Sequence, residues 1–383
     1  MKKRILALIV AAAMTIGLTA CGGDETSSSK ASGDASNSSG DAASSDNATG
    51  GIPAEDLKIG FIYIGIPGDE GYTYAQNQGR LAVEEKFGVE TLIVENVPET
   101  SDCAAKIRDL IDQGCNVIFS TSYGFLPYTQ EVAEEFPDVY FFHCSGFETS
   151  ENMASYFGRI YQMRYLSGIV AGLRTETDKI GYVAAMPIAE CVRGLDAFSL
   201  GVASVNPEAT VEVKWTNTWY DPTTEKAAAI ELLNSGCDVI AQHQDTTSPQ
   251  IAAEEAGKWT IGYNSPTPYA APNGYLTAPI WDWGVYMIPA VQSIVDGTWK
   301  NDVYWGDLST GVVKLDALTE NCAEGTAEAV AAAEAKFAEG FDVFQGPISD
   351  NEGTVRIAEG EELTDDEMLN LDWLVSNVIG SVK

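Results

Sequence analysis

Between residues 58 and 143 the apolar positions fall into short, nearly continuous β-branched runs separated by stretches with helical spacing. Residues 58–64 (KIGFIYI), 90–94, 116–120 (NVIFS) and 139–143 (VYFFH) read as buried strands. Residues 74–87, 102–113 and 127–136 read as the helices between them. The pattern restarts at 179–184 (KIGYVA) and continues through strands at 211–215, 238–242, 259–263 and 275–279. Helices are expected at 190–206, 222–235 and 249–256. The segments QGCNVIFSTS (113–122) and SGCDVIAQHQ (235–244) echo one another, each after a helix, which points to a duplicated lobe. Strands alternating with helices of this length build right-handed βαβ units around a parallel sheet covered on both faces. The expected fold class is therefore α/β, with two doubly wound parallel-sheet lobes, a hinge and a ligand cleft between them. Ligands of such sheets bind beyond the carboxyl ends of the strands, and hinge closure can bury them.

The flanks of this body follow different rules. Lys2, Lys3 and Arg4 precede a short apolar run that is too short to span a bilayer, and the run closes on Leu18-Thr19-Ala20-Cys21. We read 1–20 as a lipoprotein signal peptide and Cys21 as the acylated residue that would tie the chain to the membrane. Residues 21–55 are rich in Ser, Gly, Ala and Asp with little apolar content. They are expected to form a flexible tether reaching about 30 Å. The first lobe is expected to use 56–165 and about 284–320, with a helix at 283–296 returning to it, and the second lobe 166–283. An acidic extension, 321–383, should pack on the lobes, with a solvated amphipathic helix at 325–337, a hairpin within 342–357 and a closing helix at 365–375.

Composition narrows the function. The 383 residues carry 22 Lys and Arg against 56 Asp and Glu, a net charge of −34. A chain this acidic repels phosphate backbones and lacks a basic patch for anionic lipid, so no nucleic-acid partner is expected. Apart from Cys21, six cysteines lie without a CxxC or Cys/His cluster, which argues against a zinc site. Cys115 and Cys237 occupy equivalent places before strands and read as small core residues, and spacing pairs none of the six as disulfides. No metal or cofactor is expected.

The groups that follow the strands carry the candidate chemistry. Asp69, Tyr72 and Tyr74 follow the first strand, and Thr121-Ser122-Tyr123 and His143-Cys144-Ser145 follow later ones. The second lobe offers Trp219, His243, Asp245, Tyr263, Asn264, Trp281 and Trp283. Aromatic faces interleaved with neutral or acidic hydrogen-bonding groups suit a flat, nitrogen-rich heterocycle. We take Asp69, Tyr72, Tyr74, Tyr123, Trp219, Asp245, Asn264, Trp281 and Trp283 as candidate ligand contacts. Asp221-Pro222 reads as a helix cap.

Several stretches resemble the basic membrane lipoprotein family of ABC-transporter substrate-binding proteins. They are the lipobox, the pattern from Asp69 through Tyr72 to Gly79, the run from Arg159 to Gly168, Trp219-Tyr220-Asp221-Pro222 and Gly297-Thr298-Trp299. The resemblance implies a type I periplasmic-binding-protein-like fold, an ABC importer permease as partner, and a purine nucleoside or nucleobase as ligand, with no catalysis. Asp69 and Tyr72 fall on the family's early aspartate and aromatic, and Thr73 replaces its usual Asn. Asn264 stands where nucleoside binders carry the aspartate that contacts ribose, and Trp281 falls at or beside a position that is often Lys. Both differences favour a bare purine base over a nucleoside. The protein is then expected to be a monomer on the outer face of a bacterial cell membrane. A ligand sensor and a sugar or autoinducer binder on the same fold are the alternatives. A hydrolase would need a nucleophile motif that neither His143 nor His243 accompanies, and a dehydrogenase would need a GxGxxG after a strand.

Overall fold

A computed structural model describes residues 51–382 of the chain. The signal segment, Cys21 and most of the expected tether lie outside the described residues. Residues 51–55, read as the end of the tether, lie against the body: the Ile52 amide donates to the Ile294 carbonyl at 3.2 Å.

The chain opens with β1 (Lys58–Ile62), α1 (Tyr72–Phe87), β2 (Glu90–Val94), α2 (Asp102–Asp112) and β3 (Val117–Ser120). It continues through α3 (Leu126–Glu135), β4 (Tyr140–Cys144) and β5 (Met153–Gly158). Helix α4 (Ile160–Arg174) leads into β6 (Lys179–Ala184), α5 (Ala189–Val205), β7 (Thr210–Trp215), α6 (Pro222–Asn234) and β8 (Val239–His243). Next come α7 (Ser248–Glu255), β9 (Trp259–Ile261), β10 (Tyr275–Thr277) and β11 (Pro279–Trp281). These are followed by α8 (Gly284–Val295), β12 (Val303–Gly306) and β13 (Val313–Leu315). The acidic extension supplies α9 (Thr326–Ala338), β14 (Ile348–Ser349), β15 (Val355–Ile357), α10 (Asp365–Leu369) and β16 (Val378–Ile379).

Two six-stranded sheets result, ordered β12-β5-β4-β3-β1-β2 and β10-β9-β8-β6-β7-β16. Every pairing within them is parallel. The expected two-lobed α/β architecture is present, and the shared order places a topological switch point between β1 and β3 in one lobe and between β6 and β8 in the other. The central strands are buried on both faces, as Ile59, Phe61, Val117, Phe119, Ile180, Tyr182, Val239 and Ile240 show with 0% exposure. Hinge-side segments pair as a small antiparallel ribbon, β11 with β13.

Besides the strands of that ribbon, four elements were not expected. Helix α4 is buried at every position from Ile160 to Gly172, so it has no polar face whose period could be read. It packs so tightly on α5 that a Cβ on Gly168 would lie 2.0 Å from the Phe198 carbonyl oxygen, and one on Gly201 2.0 Å from that of Tyr165. Glycine permits that approach. Strand β5 and the short edge strands β12 and β16 are the other three. The closing helix expected over 365–375 stops at Leu369. Beyond it the chain extends so that Leu371, Leu374 and Val375 are buried, and the Val375 amide donates to Asp196 Oδ1 on α5 at 3.0 Å. The hairpin is present as β14–β15, turning through Gly353. Helix α9, expected to be solvated, buries Val330, Ala333 and Phe337, with Phe337 edge-on to Tyr165 of α4.

Candidate ligand-binding site

Each wall of the principal cavity comes from the carboxyl end of a parallel strand. The first lobe contributes Ile64 and Tyr72 after β1, Ser122 and Tyr123 after β3, and Ser145 after β4. The second contributes Glu190 after β6, Trp219 after β7, His243 and Asp245 at the end of β8, and Tyr263 after β9. About 340 Å³ of unfilled space lies between these residues, the solvent at the cleft mouth included.

The lobes meet around it. Ser265 Oγ of the second lobe donates to the Glu70 carbonyl of the first. A Cβ on Gly71 would lie 2.2 Å from the Asp245 carbonyl oxygen, so backbone meets backbone there. Across the cavity Ser145 of the first lobe and Glu190 of the second line the same space. The structure is thus a closed form.

The rings are held in place from behind. The Tyr72 hydroxyl donates to the Thr121 carbonyl at 2.6 Å and accepts from Gln76 Nε2 at 3.1 Å. The Arg164 guanidinium lies 3.7 Å from the Tyr263 ring centroid and donates to the Gln242 carbonyl at 2.6 Å. Trp219 rides on a loop tied to the next by the Asp245 amide, which donates to the Trp219 carbonyl at 3.2 Å. That loop leads into α6, where Asp221 caps the helix by accepting from the Thr223 and Thr224 amides, as the sequence suggested.

Two carboxyls give the cavity its polarity. Burial pushes the Glu190 carboxyl up to about 7, and Arg193 draws it partly back. Asp245 is 6% exposed; burial, with Asp69 and Glu225 nearby, raises its carboxyl well above the usual range. Its Oδ1 accepts from Asn264 Nδ2 at 3.1 Å. Burial, reinforced by Arg164 and Arg193, holds His243 well below its ordinary value, so its imidazole is neutral. His243 Nε2 lies 3.8 Å from Glu190 Oε1. A neutral ring beside a partly protonated carboxyl can donate or accept but supplies no fixed positive charge. His143 takes no part, because it is fully buried with Nε2 2.9 Å from the Ser122 carbonyl.

This strand-end cavity inside a closed, two-lobed α/β body agrees with what the whole-chain comparison finds. The description of ABC transporter substrate-binding proteins of the PnrA-like type matches residues 57–343. The chain belongs to that family. A protein of Haloferax volcanii named as an ABC transporter glucose-binding protein is 41% identical over 311 residues, 80% of this chain and 79% of the relative. A purine-binding protein of Brucella abortus is 38% identical over 327 residues, 85% of this chain and 93% of the relative. Among solved structures, an ABC transporter solute-binding protein from Conexibacter woesei superposes with a TM-score of 0.63 at 20% identity, covering 75% of this chain and 98% of that one. A transcriptional activator of the comK gene from Bacillus halodurans gives 0.63 at 23% identity, covering 74% and 99%. These likenesses speak to the fold, which is that of the solute-binding proteins. As a substrate-binding protein of an ABC importer, the chain binds a small molecule for a permease and works outside the cytoplasm. Among the described residues no helix is long and apolar enough to cross a membrane, no cluster of His, Cys, Asp or Glu is arranged for a metal ion, and the six cysteines are free thiols.

Of the nine candidate contacts, Tyr72, Tyr123, Trp219 and Asp245 line the cavity. The other five stand behind or beside it. Both Asp69 oxygens are spent on the α1 amino end, accepting from the Gly71 and Tyr74 amides at 2.9 and 2.8 Å and from Thr73 at 3.0 Å. Tyr74 points out, 37% exposed. Asn264 Oδ1 accepts from Trp281 Nε1 at 3.0 Å while its amide holds Asp245, so it links the two. Trp281 and Trp283 stack on each other with ring centroids 4.5 Å apart and are buried at the hinge. Glu190 was missed. At the first turn of α5 an acidic residue reads as a complement to the helix dipole, and only the topology turns it into the cleft.

Proposed function

We propose that this substrate-binding protein captures a purine-type heterocycle, with a bare base favoured over a nucleoside, and delivers it to its permease from a lipid anchor on Cys21. The observation that carries the ligand class is the cavity wall, where Tyr72, Tyr123, Trp219 and Tyr263 surround the carboxyls of Glu190 and Asp245. Aromatic faces suit a planar π-system, and carboxyls suit its ring and exocyclic N–H groups. None of the cavity-lining residues is a lysine or arginine that would call for an anionic ligand. The 38% identical purine-binding relative supports the same reading.

A monosaccharide is the second reading, favoured by the 41% identical relative named for glucose. Aromatic rings and carboxyls serve sugar hydroxyls as well. A thermal-shift panel of adenine, guanine, hypoxanthine, adenosine, inosine and glucose separates the two. The purine reading expects a rise in melting temperature with at least one free base, larger than with its nucleoside. A shift with glucose and none with any purine overturns it. Lipidation is tested by mass spectrometry of the mature amino-terminal peptide, which should begin at an acylated Cys21; an unmodified Cys21 overturns the anchor.

A further inference from the structure

We propose that the cleft has a second, apolar compartment that takes a nonpolar substituent of the ligand, so that the best guest is a substituted purine. This rests on the purine reading above. Beside the principal cavity lies another, with about 520 Å³ of unfilled space when the solvent at its mouth is included, that shares Tyr123, Ser145 and Glu190 with it. Glu190 therefore stands on the border of both compartments, where its carboxyl would meet an N–H of a ligand that occupies the two.

Beyond that junction the walls change character. Phe147, Phe157, Tyr304 and Trp305 provide rings, and Ile188 and Leu369 provide aliphatic surface. The remaining charge, Arg193, is committed to the protein itself. Its guanidinium donates to the Met368 carbonyl at 2.7 Å and lies 4.9 Å from the Trp305 ring centroid. Arg159 is engaged likewise, 4.2 Å from the same ring and paired with Asp365 at 2.7 Å. Both cations thus brace the wall, and the compartment offers a ligand mainly apolar contact. An apolar group moved there from water gains in proportion to the area it buries.

The bracing groups Asp365, Met368 and Leu369 lie beyond residues 57–343, the part matched by the family. The compartment is therefore finished by the carboxyl-terminal extension, and substituent selectivity should reside there.

Calorimetry with adenine, N6-benzyladenine and 9-benzyladenine tests this in the wild-type protein and in two plugged variants, Leu369→Trp on the carboxyl-terminal extension and Val303→Trp on β12, both of which line the compartment. At least one benzyladenine should bind on the order of tenfold tighter than adenine. Each plug should abolish that gain while leaving adenine affinity within about threefold; the second plug guards against a first that merely undocks the extension. Adenine binding with no gain from either benzyl group, or a gain that survives both plugs, overturns the compartment and leaves the purine reading standing. Failure of all three to bind, with guanine and hypoxanthine silent as well, overturns the purine reading itself, and the compartment's assignment with it.

Discussion

Gly71 of the first lobe meets Asp245 of the second so closely that a Cβ on Gly71 would lie 2.2 Å from the Asp245 carbonyl oxygen. The contact exists only when the lobes are shut, beside the hydrogen bond from Ser265 to the Glu70 carbonyl. Gly71→Ala should therefore hold the lobes apart without disturbing either sheet. Ligand affinity should fall by at least tenfold, and the compaction seen by small-angle scattering on ligand addition should shrink. Unchanged compaction in the variant would show that closure tolerates the added methyl.

Trp219 reaches the cavity from a loop, so its removal should cost binding more than stability. Stacking of an aromatic side chain on a base is worth about 1–3 kcal/mol. Trp219→Ala should weaken the preferred ligand by about 10- to 100-fold with the melting temperature of the free protein nearly unchanged. Quenching of tryptophan fluorescence on ligand addition should be lost in the same variant.

Glu190 predicts a pH dependence whose sign follows from its environment. Burial lifts its carboxyl from 4.5 to about 7, so between those values the folded protein holds a proton that the unfolded chain has released. The stability this provides is complete below pH 4.5 and is lost as pH rises through 7. Glu190→Gln removes that titration. The variant should gain on the wild type as pH goes from 5 to 8, by on the order of 3–5 °C in melting temperature with ligand saturating and the cleft closed. A constant difference across that range would place Glu190 in a wetter setting than the closed cleft provides.

The α4–α5 crossing tests the fold apart from the ligand. Gly168→Ala sets a Cβ 2.0 Å from the Phe198 carbonyl oxygen, and overpacking of this kind costs about 1–3 kcal/mol. Urea unfolding should show that loss, while ligand stoichiometry of the folded fraction stays at its wild-type value.

Much of this architecture is legible in the chain because parallel strands buried on both faces leave unbroken apolar runs. KIGFI, VIFS and KIGYVA announce β1, β3 and β6 by themselves. Helix α4 is not legible, since a helix buried all round has no alternation to detect. Strand β12 lies at a sheet edge after a long excursion of the chain, and its four residues VYWG carry no strand pattern of their own. The site divides in the same way. Tyr72, Tyr123, Trp219 and Asp245 were found because they follow strands directly. Trp281 and Trp283 obey the same rule yet stack into the hinge. Asp69 is consumed by the amides of α1, and whether a carboxylate serves a ligand or its own backbone depends on a loop geometry that spacing does not encode.

The most direct test of the account is calorimetric titration of adenine and of glucose into the protein starting at Gly51. The account predicts one-to-one binding of adenine in the micromolar range or tighter, weakened in Trp219→Ala, and no heat from glucose. Saturable glucose binding that Trp219→Ala weakens, with adenine silent, would contradict it.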